Sequence, residues 1–299
     1  MTNLLLLFDA PSLLVQVLLD GILVGSIFAL AAYGMALVWG VMNIINVTQG
    51  EFVVLGGYIG FTAASWGVNP FLCIPVAAAA MLAVGWAIYR GVIYRSVDKD
   101  LFISVLATYG LGILIAQLIN LVWGADVRSL DSGLGTWFML DGMVTVGQTR
   151  VAAFALALFI GGALLLFLRM TRLGRAIRAT AQNARAARAL GIDTDRVYAA
   201  TYAINAAICG AAGALIVMIF VLQPFVGLIY TVRSFMIVIV AGLGTLGAVI
   251  VAALGVGAAE NFVGFIFGTQ FQAAFVFSFL VIVLVVRNSR LQRRRMYLK

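Results

Sequence analysis

Charged and amide side chains inside long apolar runs are the residues of this sequence that could do chemistry. Glu260 and Asn261 lie well inside one run, and Glu51 opens another. A charge at the centre of a bilayer costs at least ~2.5–3.5 kcal/mol, so such residues are functional candidates. Glu260 with Asn261 is the strongest candidate for a place in a transport pathway or in a contact between subunits.

The other ionisable residues of the apolar runs have structural interpretations beside the functional ones. Asp20 lies early in the first run, where partial hydration near the outer membrane surface would be enough to retain it. Glu51 could stabilise the positive N-terminal end of its helix, or it could act in gating or docking. Arg233 could extend toward the membrane surface, or it could contact an external protein.

The sequence contains no histidine. This excludes His-based metal sites, Ser-His and Cys-His nucleophiles, and imidazole proton relays. Cys73 and Cys209 lie in apolar stretches without metal-ligand spacing, and we interpret them as small buried hydrophobic residues. Acidic residues are sparse and no nucleophile is clustered with them, which disfavours a membrane enzyme.

The composition places most of this chain in lipid. Hydrophobic residues make up 64% of the 299 positions and charged residues 10%, whereas soluble domains carry roughly 25% charged residues. Each helical span needs roughly 20 apolar residues, and the runs are too long for the alternating strands of a barrel. The sequence therefore predicts an all-α, polytopic transmembrane helical bundle, one domain over residues 1–299 with about 8–9 spans.

The apolar runs predict the spans and one short element. The spans lie at 13–40, 49–67, 71–92, 101–123, 150–169, 197–221, 247–267 and 270–287. A short or broken helix near 231–246 must add one more crossing, because the basic segments otherwise fall on opposite sides of the membrane. Such elements occur at membrane depth only where protein or a cavity surrounds them.

The charge distribution predicts the orientation. All but three of the 19 basic residues lie beside the ends of predicted spans, at 90–99, 169–196 and 287–299, and these segments are predicted to be cytoplasmic. The acidic loop 124–149 is predicted to be periplasmic, as is the N-terminus. The C-terminus is predicted to be cytoplasmic, with a basic tail at 288–299 that touches anionic lipid. Nucleic-acid binding is disfavoured, since no aromatic residues interleave the basic ones.

An alanine- and arginine-rich stretch follows the fifth span. Residues 176–189 contain no proline or glycine and have high helix propensity, with their arginines on roughly one face. Gly191 is placed to end this helix, and Asp193 or Thr194 to cap the next one. A polar helix across one mouth of the bundle suits a docking element, and the alternative is an ordinary positive-inside loop.

Three blocks of the sequence resemble the ABC importer permeases of the branched-chain amino acid type. Residues 174–192 are similar to that family's coupling loop, and residues 242–248 to its Gly-rich segment. The first helices are similar as well, above all the Gly-Glu-Phe triplet at 50–52 and the Gly-Gly-Tyr triplet at 56–58. The family often has histidine where Gln49 stands, so a role that needs a titrating imidazole is not expected here.

The resemblance implies a fold of two structurally similar halves and a role as one of two homologous membrane subunits of an ATP-driven importer. The implied partners are a second permease subunit, two cytoplasmic ATP-binding subunits, a periplasmic substrate-binding protein, and the lipid bilayer of a bacterial inner membrane. This chain is expected to bind no cofactor, since ATP and Mg²⁺ bind to the partner subunits. The implied substrates are branched-chain or related hydrophobic amino acids, although the sequence contains no recognisable amino-acid clamp.

A second function stays open, that of an ion-coupled secondary transporter of small polar or amino-acid solutes. Asp20, Glu51 and Glu260 could be its coupling carboxylates. A secondary transporter would not explain the alanine- and arginine-rich helix. The sequence also has no Gly-x-x-x-x-Gly-Lys-[Ser/Thr] motif, so an ATP-driven importer would take its energy from another subunit.

The candidate residues fall into two groups, and none is predicted to be catalytic or to bind a metal. The residues predicted to dock the ATPase, in a coupling loop at 170–196, are Gly174, Arg175, Arg178, Gln182, Arg185, Arg188 and Gly191. The candidates for translocation or gating are Asn43, Asn46, Gln49, Glu51, Gly242, Gly244, Glu260 and Asn261. Thr108, Asn120 and Asn205 either line a route or hydrogen-bond one helix to another.

Overall fold

Helices dominate the computed structural model, which describes residues 10–97, 100–139, 142–242 and 246–296. These residues form eleven α-helices and one β-hairpin. The helices are α1 (Pro11–Met42), α2 (Gln49–Ser65), α3 (Cys73–Gly91), α4 (Leu101–Trp123), α5 (Gln148–Met170), α6 (Arg172–Gln182), α7 (Ala184–Ala189), α8 (Thr194–Ile219), α9 (Gly227–Ala241), α10 (Leu246–Phe267) and α11 (Gln270–Met296). The strands are β1 (Thr136–Met139) and β2 (Val144–Gly147), which pair antiparallel between α4 and α5.

Six helices within the described residues are long and apolar enough to cross a membrane, namely α1, α3 with its following 3₁₀ turn, α4, α5, α8 and α10. Helix α2 has 17 residues and α9 has 15, while the apolar part of α11 covers 270–286. The predicted class, an all-α polytopic membrane protein, is confirmed. The short element predicted near 231–246 is α9, which begins earlier, at Gly227.

The two ends of the bundle differ in what lies there. Helix α5 has 23 residues and so spans about 35 Å, with the β-hairpin before it and α6 after it. We call these the hairpin end and the arginine end. Helix α1 begins at the hairpin end, because Gln16 exchanges two hydrogen bonds with the backbone of Thr145 in β2.

Helix α8 lies at the centre of the bundle and packs against α1, α2 and α3. Glycines allow its close approach to α2, since a Cβ on Gly56 would lie 2.5 Å from the Cα of Gly210. The Gly-Gly-Tyr triplet therefore marks a helix crossing in which two backbones touch. Small residues serve this purpose in membranes because packing drives helix association where both helices and lipid are apolar.

A second glycine contact joins α1 to α10. Gly21 and Gly25 of α1 face Gly257 of α10, and a Cβ on Gly21 would lie 2.6 Å from the Cα of Ala258. Gly21 and Gly25 are four residues apart, which puts them on one helix face. Asp20 precedes Gly21 on α1, and Glu260 lies one turn after Gly257 on α10. The glycine contact therefore brings these two carboxylates to the same level of the bundle.

The helix predicted over 176–189 is interrupted, which corrects the expectation of a single element. Asn183 has an extended backbone and its side chain accepts a hydrogen bond from the amide of Ala186, so α6 ends and α7 begins there. A local cap of this kind outweighs the high helix propensity of the flanking alanines. The predicted ends are as expected, since Gly191 is left-handed at φ +84° and Asp193 caps α8.

The Gly-rich segment after α9 is described only in part. Gly242 follows α9 with φ +74°, a conformation that favours glycine. Gly244 lies outside the described residues. Helix α11 continues through the first part of the predicted basic tail to Met296, and residues 297–299 lie outside the described part.

Candidate functional site

The coupling loop forms an exposed surface at the arginine end. We call this surface the docking face, and its exposed members are Arg175, Arg178, Gln182, Arg185, Arg188, Leu190 and Gly191. Leu190 is 83% exposed, an unusual position for a leucine among arginines. This surface thus presents one apolar side chain and several cations to its surroundings.

The docking face is fixed to the bundle from below. Ile177 is 1% exposed and packs in the main core, and Gly174 is buried where a Cβ would lie 2.5 Å from the Cα of Leu168. Thr171 caps α6 by accepting a hydrogen bond from the amide of Gly174. Gly174 is therefore a packing residue beneath the docking face, whereas its predicted neighbours present side chains on it.

The arginines of the docking face differ in their contacts. Arg188 donates to the Thr194 hydroxyl at 2.6 Å, which ties α7 to the first turn of α8, and Arg175 donates to the carbonyl of Met170. Within the described residues, the side chains of Arg178 and Arg185 make no hydrogen bond or ion pair to the rest of the chain. Their charges are the ones left for contacts with other molecules.

A non-helical segment interrupts the bundle between α1 and α2. Asn43 ends α1 in the left-handed conformation, with φ +52°. The Thr231 hydroxyl of α9 accepts from the amide of Gly50 at 2.8 Å and donates to the carbonyl of Val47 at 3.0 Å. Thr108 of α4 accepts from the amide of Val47 in the same way. Side-chain hydroxyls thus hydrogen-bond backbone groups that have no partner within a helix. Such partners are needed at membrane depth because no water is present there to replace them.

Asn46 and Gln49 belong to a buried network between helices. Gln49 donates to the carbonyl of Ala31 at 2.7 Å and accepts from the Asn46 amide at 3.1 Å, and both side chains are fully buried. Cys209 lies 3.0 Å from the Gln49 amide nitrogen. These polar residues join α1, α2 and α8, and they face one another rather than an open route. The Gln49 side chain thus donates one hydrogen bond through its amide nitrogen and accepts another through its amide oxygen.

Glu51 lies near the middle of the bundle. Its Cγ is 3.6 Å from the Cβ position of Gly112, which is halfway along α4, and its carboxylate lies against Gly227, the first residue of α9. One carboxylate oxygen has no hydrogen-bond partner. A cavity of about 260 Å³, lined also by Tyr109 and Gln117, opens beside it. The positive end of the α9 helix dipole offsets part of the carboxylate charge.

Two ion pairs join helices of the bundle, one between α9 and α10 and the other between α1 and α5. Glu260 accepts hydrogen bonds from Arg233, with Nε at 3.1 and 3.2 Å from its two oxygens, and the two side chains are 6% and 17% exposed. Asp20 pairs with Arg150, and these side chains are 21% and 35% exposed. Asn261 donates to the carbonyl of Val17 at 2.7 Å, which adds to the contact between α1 and α10.

The position of Arg233 corrects the expectation that it reaches the membrane surface or an external protein. Its guanidinium lies over the ring of Phe28, 4.6 Å from the centroid, and Phe28 is near the middle of α1. Arg233 is therefore held inside the bundle by a carboxylate and an aromatic face. The partner of Glu260 could not be recognised in the sequence, because the two residues are on different helices.

Residues 17–286 of this chain match the family described as branched-chain amino acid transport system, permease component. The chain belongs to this family. The high-affinity branched-chain amino acid transport system permease protein BraD of Pseudomonas aeruginosa is 29% identical to this permease over 288 residues, covering 91% of this chain and 93% of BraD. The corresponding protein LivH of Escherichia coli is 28% identical over 292 residues, with 91% and 92% covered.

A solved structure with the same fold is PsaBC from Streptococcus pneumoniae in complex with Fab. Its TM-score to this permease is 0.50 at 10% sequence identity, and the match covers 89% of this chain and 90% of the other. At this identity the likeness concerns the fold alone. The resemblance to this family, which was based on the coupling loop, the first helices and the Gly-rich segment, is confirmed by the match over residues 17–286.

Three residues of the site escaped the sequence analysis. Leu190 follows the arginine-rich stretch and was not among the candidates, although it is 83% exposed beside the arginines. Arg150 lies at the start of a span and carried no signal beyond its charge. Thr231 is an ordinary hydroxyl in an apolar run, and only its distance to Gly50 shows that it closes the break before α2.

Proposed function

We propose that this permease is the membrane-spanning subunit of an ATP-driven importer that translocates branched-chain or related hydrophobic amino acids. The docking face carries the proposal, because Arg178 and Arg185 have no side-chain partner among the described residues and lie with the exposed Leu190 on a firmly anchored helix pair. Such a surface suits contact with a soluble protein. That partner hydrolyses ATP, since this chain has no P-loop motif.

The complete importer contains this permease, a second homologous permease subunit, two cytoplasmic ATP-binding subunits and a periplasmic substrate-binding protein. ATP and Mg²⁺ bind to the ATP-binding subunits. The chain lies in the bacterial inner membrane with the arginine end in the cytoplasm and the hairpin end in the periplasm. The density of arginine in the 169–196 loop supports this orientation.

The broken elements at mid-depth are the parts of the permease that can move. The segment 43–48 and the short helix α9 meet at the hydroxyl of Thr231, and Glu51 faces the first residue of α9. Motion of the docking face reaches this region through α8, which packs against α1 and α2. We assign gating to this meeting point, with Gly242 as the flexible end of α9.

The docking assignment is tested with the double variant Arg178→Glu, Arg185→Glu. We expect it to insert normally and to lose co-purification with the ATP-binding subunits, because like charges then face the acidic partner. The matched control is Arg90→Glu, Arg95→Glu, which changes the net charge by the same amount in a different cytoplasmic segment. Equal co-purification of the two double variants would exclude the docking face.

The transport assignment is tested with the importer in proteoliposomes. Leucine uptake should need ATP, the binding protein and both ATP-binding subunits, and it should persist when proton and sodium gradients are collapsed. Uptake by this chain alone, driven by an ion gradient without ATP, would instead support the ion-coupled secondary transporter.

A further inference from the structure

The two ion pairs beside α9 border one cavity of about 420 Å³. Its charged residues come from four helices, namely Asp20 of α1, Arg150 of α5, Arg233 of α9 and Glu260 of α10. Cavities that take small ligands have volumes of roughly 300–1,000 Å³, so this one suits a small molecule. It lies between the level of Phe28, near mid-helix in α1, and the hairpin end.

The charges of the cavity cancel. Two guanidinium groups and two carboxylates carry no net charge together, yet both signs are present within one small volume. A ligand with a net charge would add an uncompensated charge to this partly buried cavity, where charges are screened less than in water. A neutral ligand that carries separate positive and negative groups adds none. The cavity therefore favours a zwitterion.

The ion pairs leave hydrogen-bonding groups for such a ligand. Arg233 uses Nε and one terminal nitrogen on Glu260, and Arg150 uses one terminal nitrogen on Asp20. Each guanidinium has five N–H donors, and each carboxylate oxygen can accept more than one hydrogen bond. Donors for a carboxylate and acceptors for an ammonium group are thus present side by side.

The rest of the cavity wall combines apolar side chains with the amide groups of Asn261 and Gln272. Val24 and Phe28 of α1, Phe220 and Val221 after α8, and Tyr230 of α9 line it. Phe28 also carries Arg233 on its ring face, so the apolar wall and the charged groups adjoin. The aliphatic side chain of a ligand would cover the apolar part of this wall and exclude water from it. The charged groups of the same ligand would contact the ion pairs.

We propose that this cavity binds an α-amino acid with an apolar side chain, with its carboxylate on Arg150 and Arg233 and its ammonium group on Asp20 and Glu260. The permease then selects for the zwitterionic head itself, in addition to any selection by the binding protein. This assignment rests on the proposed function for the substrate class. It differs from that function in placing recognition on named residues of this chain.

The test measures protection of an introduced thiol in the permease complex with its ATP-binding subunits, held in nanodiscs. Val221 lines the cavity and is 59% exposed, and the native Cys73 and Cys209 are buried. We expect L-leucine to slow maleimide labelling of Val221→Cys about twofold when half of the sites are filled. Isovalerate and 3-methylbutylamine, which each carry one of the two charges, should leave the rate unchanged. Phe138→Cys, exposed at the same end on β1, should not be protected.

The role of the charges is tested by combining Val221→Cys with Arg233→Gln and Glu260→Gln together. Removing both charges avoids a buried unpaired ion, which would destabilise the fold. We expect protection by leucine to need about tenfold more leucine, because hydrogen bonds to charged groups are lost. The more exposed pair offers a second variant, Asp20→Asn with Arg150→Gln, which should weaken protection in the same direction.

The outcomes separate this inference from the proposed function. Absence of protection in a complex that imports leucine with ATP would overturn the cavity assignment and leave the function standing. Two further results would overturn the assignment of a zwitterion site. The first is protection by isovalerate without the amine, and the second is protection by leucine in both double charge variants that equals the protection in Val221→Cys itself. Failure of ATP-driven leucine uptake by the unmodified importer would refute the proposed function, whatever the labelling shows.

Discussion

The contact between α1 and α10 gives the sharpest prediction for stability. Gly257 and Gly255 lie two residues apart on α10, and their surroundings differ completely. A Cβ on Gly257 would lie 2.5 Å from the Cα of Gly25 and 2.8 Å from its nitrogen, whereas a Cβ on Gly255 would meet nothing within 4 Å. Gly257→Ala should therefore destabilise the permease, and Gly255→Ala should not.

The magnitude follows from the distances. Carbon atoms in contact are best placed about 3.5–4.0 Å apart, so α1 and α10 must separate by about 1 Å to accept the added methyl group. Overpacking of this kind costs about 1–3 kcal/mol. Replacement of a helical glycine by alanine also gains up to about 1 kcal/mol of helix propensity. This gain is common to both variants and cancels in the comparison, which leaves a difference of about 1–3 kcal/mol.

The measurement is reversible unfolding in mixed detergent and SDS micelles, followed by tryptophan fluorescence. Gly255→Ala is the matched control, since it has the same chemical change on the same helix. A stability of Gly257→Ala equal to that of Gly255→Ala would refute the close packing of α1 on α10. The displaced helices should also move Asp20 relative to Glu260, so leucine protection of the Val221→Cys thiol should weaken in the Gly257→Ala background.

Three further substitutions have defined outcomes. Thr231→Val keeps the shape of the side chain but removes the hydroxyl that hydrogen-bonds the amide of Gly50 and the carbonyl of Val47. The variant should lose about 1–3 kcal/mol of stability in the same unfolding assay. No loss of stability would mean that water replaces the hydroxyl. Asn183→Ala removes the α7 cap and should cost about 1 kcal/mol, with weaker ATPase co-purification that Asn183→Asp restores. Glu51→Gln removes a carboxylate with an unpartnered oxygen, so stability should hold or rise; a marked loss would show that the charge is satisfied.

The fold class could be predicted because it depends on composition and run length. The apolar runs, the basic segments beside them and the need for an additional short element were all visible in the sequence. The site was less accessible. Residues 176–189 predicted one helix from propensity, but the cap at Asn183 divides it, because a single side-chain hydrogen bond competes locally with alanine.

Glu260 illustrates what the sequence could predict and what required the tertiary structure. Its place inside an apolar run marked it as a functional candidate, since a charged side chain inside the membrane is energetically costly. Arg233 and Asp20 carried the same signal, whereas Arg150 at the start of a span did not, and nothing in the sequence joined these residues to Glu260. The glycine contact of α1 with α10 and the inward course of α9 bring these four residues to one cavity. The sequence by itself determined which residues had to be compensated, because the cost of a charge in lipid is local; only the packing of distant helices decided which charges compensate one another.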